Sequence, residues 1–330
     1  MTRARLCLSI AALAMAGSAS ASPMITVLYD PTASFSTADK TAIQNAVNFY
    51  ASNMTSNLNL TVAFGSQAGG GGSSEWSTQT VSYNSYYTAL LANSSGDATD
   101  TAAIASLGGG SHVNNPVTGS TDIDLNTSLA VLLGLTSESL SSFGHCGGLS
   151  ADACITISQA ALNTGGSPLA GLGGIVQHEM DEVLGTASNL PNGGGSLPAN
   201  PLEADLYRYS APGVRSFALN TSTDVPCTGS PTAYLSVNGG VTNLNNYNNC
   251  NNGGDYGDWS GVDGLQVQDA FGPDSQAAAL SLSSPEVALL DADGYNFVTA
   301  ATAVPEPASL VLVFAGLAAI TSVRKRSRPV

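Results

Sequence analysis

The chain has 330 residues and a formal net charge of −15, from 9 lysines and arginines against 24 aspartates and glutamates. The excess is sharper between residues 23 and 303, which hold all but one of the acidic residues and only three basic ones, Lys40, Arg208 and Arg215. A surface this acidic repels nucleic acids and anionic membranes, so the composition excludes both as expected partners.

The N-terminal segment, residues 1–22, has the order of an export signal. Two arginines precede an apolar run over residues 6–16, and small residues continue up to a cleavage site near Ala21. This pattern predicts a signal peptide that signal peptidase removes, so the mature protein is expected to be exported. No repeat or proline-rich linker divides residues 23–303, which predicts that they form a single domain.

The start of this domain alternates between strand and helix patterns. Residues 25–30 are typical of a strand, and Ser36 with Asp39 three residues later is typical of a helix N-terminus. Apolar residues then recur at helical spacing over 43–54 and alternate over 58–64, which predicts a strand–helix–strand unit. Three later elements are also predicted, namely helices over 83–91 and 128–135 and a strand over 154–158.

Two stretches rich in glycine, serine and asparagine, residues 65–74 and 238–254, are predicted to be surface loops. Helical patterns are scarce in the second half of the domain. That half is therefore expected to be rich in loops.

Four cysteines lie after the signal peptide, an even number in an oxidising compartment, and they permit three pairings. The favoured pairing joins Cys146 to Cys154 and Cys227 to Cys250, because each bond closes a local loop rich in glycine or asparagine. The alternative is a cysteine metal site, although the chain has no C-x-x-C motif.

The densest site chemistry is the segment His-Glu-Met-Asp-Glu at residues 178–182. His178 and Glu182 stand four residues apart, so on a helix they project within about 40° of each other and can bind one metal ion. Glu179 is left beside them as a general base. The alternative interpretation is an ordinary surface histidine next to a solvated acidic helix face.

The helix that carries this segment is predicted to begin at Ser167, with Pro168 in its first turn. Its apolar residues fall on the side away from the site, and these are Leu169, Leu172, Val176, Met180, Val183 and Leu184.

A strand–helix–strand opening, a later strand and a helix that carries His-Glu and ends at Gly185 resemble the zincin metallopeptidases, particularly the metzincin branch. The resemblance covers roughly residues 24–190 and a closing helix over 289–295. It implies an α+β fold, with a mixed sheet and an active-site helix, and then the loop-rich half. It also implies that His178 is the first zinc ligand, that Glu179 is the base, and that Gly185 turns the chain after the helix.

The chain departs from the family at its other ligand positions. Glu182 stands where the family has a second histidine, Ser188 stands at the third ligand position, and no methionine occurs after Met180. A carboxylate binds zinc at about 2.0 to 2.2 Å, so Glu182 is still expected to be a ligand. Asp205 is the candidate for the third ligand. The residues considered after it are Glu203, His145 and His112.

The activity implied by the resemblance is hydrolysis of peptide bonds in a peptide or protein substrate. Zinc would hold a water molecule and lower its pKa, and Glu179 would take the proton as the water attacks the carbonyl. Tyr207, Arg208 or Tyr209 would stabilise the oxyanion. The alternative is a non-catalytic cell-surface or extracellular-matrix protein on a degenerate zincin scaffold.

A second acidic group lies in the loop-rich half. Asp255, Asp258, Asp263 and Asp269 offer the carboxylates that calcium binds in long loops. The spacing differs from that of an EF-hand, and the alternative is a set of acidic turns around a buried Trp259.

The C-terminal segment, residues 304–330, has three parts. Val304-Pro305-Glu306-Pro307 leads into an apolar run over 308–323, which precedes a basic cluster over 324–328. The apolar run is shorter than the roughly 20 residues of a comfortable membrane span. The order closely resembles the PEP-CTERM sorting signal of Gram-negative bacteria.

That resemblance implies recognition by an exosortase while the apolar helix transiently anchors the chain in the inner membrane. It also implies removal of the tail and delivery to the cell surface or the extracellular matrix. A plain C-terminal membrane anchor is the alternative.

Overall fold

A computed structural model of the chain describes residues 23–108, 112–137, 139–162, 171–191, 196–230, 232–271 and 278–298. The predicted signal peptide, the C-terminal tail and the helix start at Ser167 and Pro168 lie outside these residues, as does Leu169. Within the described ranges, no helix has both the length and the apolar character needed to cross a membrane.

The described residues combine helices and strands, which confirms the expected α+β class. The α-helices are α1 (Thr37–Asn53), α2 (Tyr83–Asn93), α3 (Ala98–Ser106), α4 (Thr127–Leu132), α5 (Gln159–Leu162), α6 (Leu172–Asp181) and α7 (Pro285–Asp293). The strands are β1 (Met24–Tyr29), β2 (Asn59–Gln67), β3 (Gly72–Trp76), β4 (Thr78–Ser82), β5 (Asp122–Asn126), β6 (Ser141–Phe143), β7 (Leu149–Ala151), β8 (Ala153–Ser158), β9 (Arg208–Ala211), β10 (Val214–Arg215), β11 (Tyr234–Leu235) and β12 (Asn245–Asn246).

The main sheet has the strand order β1-β2-β8-β3. Strands β1, β2 and β8 run parallel, and β3 joins the edge antiparallel to β8. The predicted strand–helix–strand unit is confirmed, since α1 connects β1 to β2 and begins with a capping box between Ser36 and Asp39. Smaller sheets pair β4 with β5 and β6 with β7, and a last one has the order β10-β9-β11-β12.

The alternation of side chains along β2 separates two apolar layers. Val62 and Phe64 face the large core, into which α1 and α6 pack, whereas Ala63 faces a small cluster around the disulfide of Cys146 and Cys154. The second predicted disulfide, between Cys227 and Cys250, also forms. Both favoured pairings are therefore confirmed.

Helix α6 presents its predicted apolar stripe to the core, where the stripe residues Leu172, Val176, Met180, Val183 and Leu184 are buried. The neighbouring α1 is joined to it by a hydrogen bond of 2.7 Å from the Tyr50 hydroxyl to Asp181 Oδ1. Because its apolar side faces inward, α6 presents its polar side to a cleft.

The helical path continues beyond α6 as a π-helical turn, Glu182–Thr186. Glu182 keeps helical backbone angles, and the path breaks at Gly185, whose φ is 144°. A side chain there would meet Glu203, since a Cβ atom would lie 2.8 Å from Glu203 Oε1. Gly185 therefore ends the helix, as expected, where no larger residue fits.

The prediction of a surface loop over residues 65–74 is wrong at both ends. The segment contains the end of β2 and the start of the edge strand β3, whose glycines and serines lack the alternation of a strand. A contact with α6 requires glycine at position 72, because a Cβ atom there would lie 2.8 Å from Cδ of Glu179. The second predicted loop, over 238–254, contains only the short β12, but it is not a surface loop throughout, since Asn245, Asn248, Asn249 and Cys250 are buried.

Candidate metal centre

Three potential metal ligands converge from opposite sides of a cleft. His178 and Glu182 come from α6 and its π-helical turn, and Asp258 comes from the loop-rich half. His178 Nε2 lies 3.7 Å from Asp258 Oδ1 and 3.9 Å from Glu182 Oε1. The ligand atoms of the three residues all lie within 4.8 Å of one another.

The ring of His178 is held by its other nitrogen. Nδ1 lies 3.0 Å from the carbonyl oxygen of Val267, to which it donates as N–H, and Nε2 is then directed at the two carboxylates. The amide of Gln268 donates to Asp258 Oδ1 at 2.9 Å. On the opposite side, the hydroxyl of Ser74 in β3 donates to Glu182 Oε2.

Glu286 of α7 connects the loop that carries Asp258 to the helical core. Its Oε1 accepts hydrogen bonds from the indole nitrogen of Trp259, at 2.9 Å, and from the backbone nitrogen of Gln268, at 3.0 Å. Two neighbours of the candidate ligands are thus fixed by one buried carboxylate.

Glu179 lies beside this group and lines the same cleft. Burial, and next the charge of Glu182, raise the pKa of Glu179 well above its usual value, and its carboxyl hydrogen-bonds to that of Glu182. Its side chain covers Gly72 of β3. The predicted base is therefore a buried carboxyl group whose charged form is disfavoured by burial and by its acidic neighbour.

The site carries more acidic groups than one imidazole can balance. Burial lowers the pKa of His178, but the charges of Asp258, Glu179 and Glu182 outweigh it and raise that pKa to about 10. Burial likewise raises the pKa of Asp258 to about 8, against the opposing effect of His178. A bound cation would relieve this excess of buried carboxylates.

The cleft has a volume of about 780 Å³. One wall consists of β3 and a run of glycines before it, and the opposite wall is the loop 253–258. Among the described residues that line the cleft there is no lysine or arginine.

The structure does not bring Asp205, the expected third ligand, to this group. Its carboxylate accepts hydrogen bonds from the Ser188 hydroxyl at 2.6 Å, the Asn189 nitrogen at 3.1 Å and the Leu202 nitrogen at 3.0 Å. Asp205 therefore stabilises the turn after α6. Asp258 takes the place predicted for it.

The three alternatives to Asp205 also lie elsewhere. Glu203 is buried and accepts from the backbone nitrogen of Asn126 at 3.2 Å. His145 is exposed and pairs with Glu75, and His112 stacks on the ring of Tyr87 at 3.4 Å between centroids. None of them joins the metal-ligand group.

The predicted oxyanion donors do not line the cleft. Tyr207 donates to the carbonyl of Ala292 at 2.8 Å, and Tyr209 is buried beneath the guanidinium of Arg215. Arg208 is buried, donates to the carbonyl of Tyr256 at 2.6 Å and lies over another aromatic ring. The prediction is wrong because all three side chains are buried away from the cleft, Tyr207 at the end of a short 3-10 helix and the other two at the start of β9.

The predicted calcium residues do not form one site. Asp258 joins His178, Asp255 is exposed at the cleft, and Asp263 is exposed outside it. Asp269 lies on the cleft wall and accepts from a backbone nitrogen at 2.9 Å. Trp259 is fully buried, as in the alternative interpretation of acidic turns around it.

Comparisons of the chain with protein-family models, with curated proteins and with solved structures each find no match. What the protein does therefore has to be inferred from the chemistry that its own side chains can perform in this cleft.

Proposed function

We propose that this protein is an exported zinc-dependent endopeptidase in which His178, Glu182 and Asp258 bind the metal and Glu179 is the general base. The observation that carries the proposal is the convergence of three ligand atoms within 4.8 Å, beside a buried carboxyl group, in a cleft of about 780 Å³. Asp258 replaces the ligand expected from the sequence.

The donor set fits zinc in type and spacing. Zinc accepts imidazole nitrogen and carboxylate oxygen, and tetrahedral ligands about 2.1 Å from the ion lie roughly 3.4 Å apart. The distances from His178 Nε2 to the two carboxylate oxygens, 3.7 and 3.9 Å, are close to that spacing. The Val267 carbonyl and the Ser74 hydroxyl orient two of the ligands.

The chain's own residues supply binding and proton transfer. A zinc ion at this position would act as a Lewis acid and lower the pKa of a bound water. Glu179 would accept a proton from the attacking water on a carboxyl oxygen and return it to the leaving amine nitrogen. Its raised pKa makes the ionised carboxylate of Glu179 a stronger base towards the attacking water than an exposed glutamate would be.

The edge strand β3 offers a place for the substrate. It pairs with β8 on one side only, and Gly72, Ser74 and Trp76 line the cleft. An extended peptide can add to such an edge through backbone hydrogen bonds. Glu179 lies against this strand at Gly72, so the scissile bond of an added peptide would come close to the base.

The proposal is tested by Glu179→Gln. We expect this variant to keep stoichiometric zinc and to cleave unfolded protein substrates roughly 10²- to 10⁴-fold more slowly, because it loses a positioned base. Metal analysis and a cleavage assay measure the two effects. Glu75→Gln is the matched control, since Glu75 is also on β3 but does not line this cleft. Equal activity of Glu179→Gln and the unaltered chain would overturn the proposal.

A second candidate is a non-catalytic surface or matrix protein on a degenerate zincin scaffold. It is favoured by the placement of Tyr207, Arg208 and Tyr209 away from the cleft, which leaves the oxyanion without its predicted donors. A zinc-loaded chain that cleaves nothing in a broad peptide library would favour this second function over the first.

We further propose that the protein reaches the cell surface or the extracellular matrix through signal peptidase and an exosortase. The support is the sequence of residues 1–22 and 304–330. Both disulfides also suit an oxidising compartment.

A further inference from the structure

Acidic side chains dominate the cleft well beyond the candidate metal ligands. Asp255 and Asp269 line it together with Glu179, Glu182 and Asp258, and no lysine or arginine occurs among the described lining residues. One divalent cation offsets two of these five charges, and a proton on Glu179 would offset a third. The cleft therefore keeps a negative potential, which concentrates positively charged groups.

Asp255 is the carboxylate best placed to meet a substrate. It is exposed, it lines the cleft, and it stands three residues before Asp258. Glu182 and Asp258 line the same cleft. A group bound to Asp255 would thus lie close to the reacting centre.

The loop that presents Asp255 is held by bonds to its backbone. The side-chain amide of Asn248 donates to the carbonyl oxygen of Asp255 at 3.2 Å. Buried Arg208 donates to the carbonyl oxygen of the next residue, Tyr256, at 2.6 Å. These contacts fix the path of the loop and so keep Asp255 at the cleft.

Asp269 adds a second, independent indication. Its residue is only 6% exposed, yet its Oδ1 accepts no hydrogen bond from the described residues, while Oδ2 accepts from the nitrogen of Gln266. A buried carboxylate oxygen without a donor, beneath the wall of the cleft, leaves a negative charge uncompensated there and so adds to the attraction for a cationic group.

We propose that the cleft selects peptides that carry a lysine or arginine next to the scissile bond, and that Asp255 binds the basic side chain. This inference rests on the proposed peptidase function. An ammonium or guanidinium group supplies donors to these carboxylates and a positive charge that no described lysine or arginine provides there. An acidic side chain at the same position would meet like charges and be rejected.

Cleavage of matched peptides by the whole chain, exported so that both disulfides form, tests the selectivity. The peptides share one sequence and carry lysine, glutamine or glutamate on either side of the scissile bond. We expect kcat/KM for lysine to exceed that for glutamate by about tenfold at low salt, and the ratio to fall as salt screens the charges. Asp255→Asn should reduce the ratio to within about threefold.

Asp224→Asn is the matched control, because Asp224 is exposed and lies outside the cleft lining. It removes the same charge and should keep the lysine-to-glutamate ratio of the unaltered chain. Equal kcat/KM for the lysine and glutamate peptides would overturn the inference and leave the peptidase proposal standing.

Measuring peptide binding without cleavage tests the charge selectivity independently of peptidase activity. In the Glu179→Gln background, fluorescence anisotropy of the labelled lysine peptide should show a lower Kd than that of the glutamate peptide. Adding Asp255→Asn should remove the difference. If no peptide is cleaved but this preference in binding holds, peptidase activity is wrong and the charge selectivity is supported. Equal Kd values would overturn the selectivity.

Discussion

The two sides of the cleft are built by different means. The sheet-and-helix side, up to residue 191, supplies His178, Glu179 and Glu182 from one continuous helical path. The loop-rich side, residues 196–271, supplies Asp258 from a segment without a long strand or helix. A helix fixes the relative position of its side chains by its period, whereas a loop needs separate bonds for each position.

Those separate bonds are visible around Asp258. Asn248 and Asn252 exchange side-chain hydrogen bonds of 3.0 and 2.9 Å, and Asn252 also donates to the carbonyl of Asp224 at 2.9 Å. The disulfide of Cys227 and Cys250 closes the same region. Hydrogen bonds from asparagine side-chain amides therefore hold the loop-rich side in place, as backbone hydrogen bonds between strands hold the sheet on the other side.

The largest effect is expected from Asp258→Ala, which removes the only proposed ligand on the loop-rich side. It leaves two ligands, both on the helical side, so we expect loss of stoichiometric zinc and a drop in affinity beyond the roughly 100-fold typical of outer contacts. Metal analysis after dialysis measures it. The control is Asp263→Ala, an exposed residue of the same side that should retain zinc. If Asp258→Ala keeps stoichiometric zinc and Asp205→Ala loses it, the third ligand is Asp205, as predicted from the sequence.

Removing one disulfide at a time tests how far each side of the cleft depends on its covalent cross-link. The bond of Cys227 and Cys250 closes 23 residues and that of Cys146 and Cys154 closes 8, so loop entropy makes the first worth about 1 kcal/mol more. Replacing each pair with serine should lower the unfolding free energy by about 2–4 kcal/mol in urea titrations. Only loss of Cys227 and Cys250 should also weaken zinc binding. Equal zinc affinity in both variants would show that the asparagine contacts suffice.

A smaller effect is expected where the two sides meet, at Glu203 and Asp293 around Gly185. Burial raises the pKa of Glu203 from 4.5 to about 8, and the pKa of Asp293 is raised well above its usual value by burial and then by the charge of Glu203. An acid whose pKa is higher in the folded state than in the unfolded state contributes its full stability below the unfolded-state pKa. This stability is lost as the pH rises through the folded-state pKa.

The free energy of unfolding of the metal-free chain should therefore fall between about pH 4.5 and 8. In Glu203→Gln this fall should be smaller by at least about 1.4 kcal/mol. Urea titrations at pH 5 and 8.5 measure the difference. If Glu203→Gln keeps the pH dependence of the unaltered chain, Glu203 has the same pKa in the folded and unfolded states and the prediction is wrong.

The sequence predicted what depends on neighbours along the chain. The capping box of Ser36 and Asp39, the alternation along β2 and the two faces of α6 are local patterns, and all three are confirmed. The site residues of α6 were placed correctly on its cleft side for the same reason.

What the sequence could not predict depends on distant contacts. Asp258 was assigned to calcium because its turns are acidic, and only the folded chain shows it opposite His178. The sequence does not predict β3, because the small residue at Gly72 is required by contact with the side chain of Glu179, which lies far along the chain. The sequence also predicts Asp205 as a ligand, but in the folded chain nearby backbone nitrogens donate to its carboxylate.

The bonds from Glu286 to Trp259 and to Gln268 have a consequence for the order of events during synthesis. Glu286 belongs to α7, the last described helix, so the segment that holds Asp258 gains this anchor only after nearly the whole domain has been made. An emerging chain carries His178 and Glu179 long before α7 exists. If the chain is an exported peptidase, as proposed, its centre would stay incomplete until this last described helix had been made, and the nascent chain and the export machinery would be protected from cleavage until then.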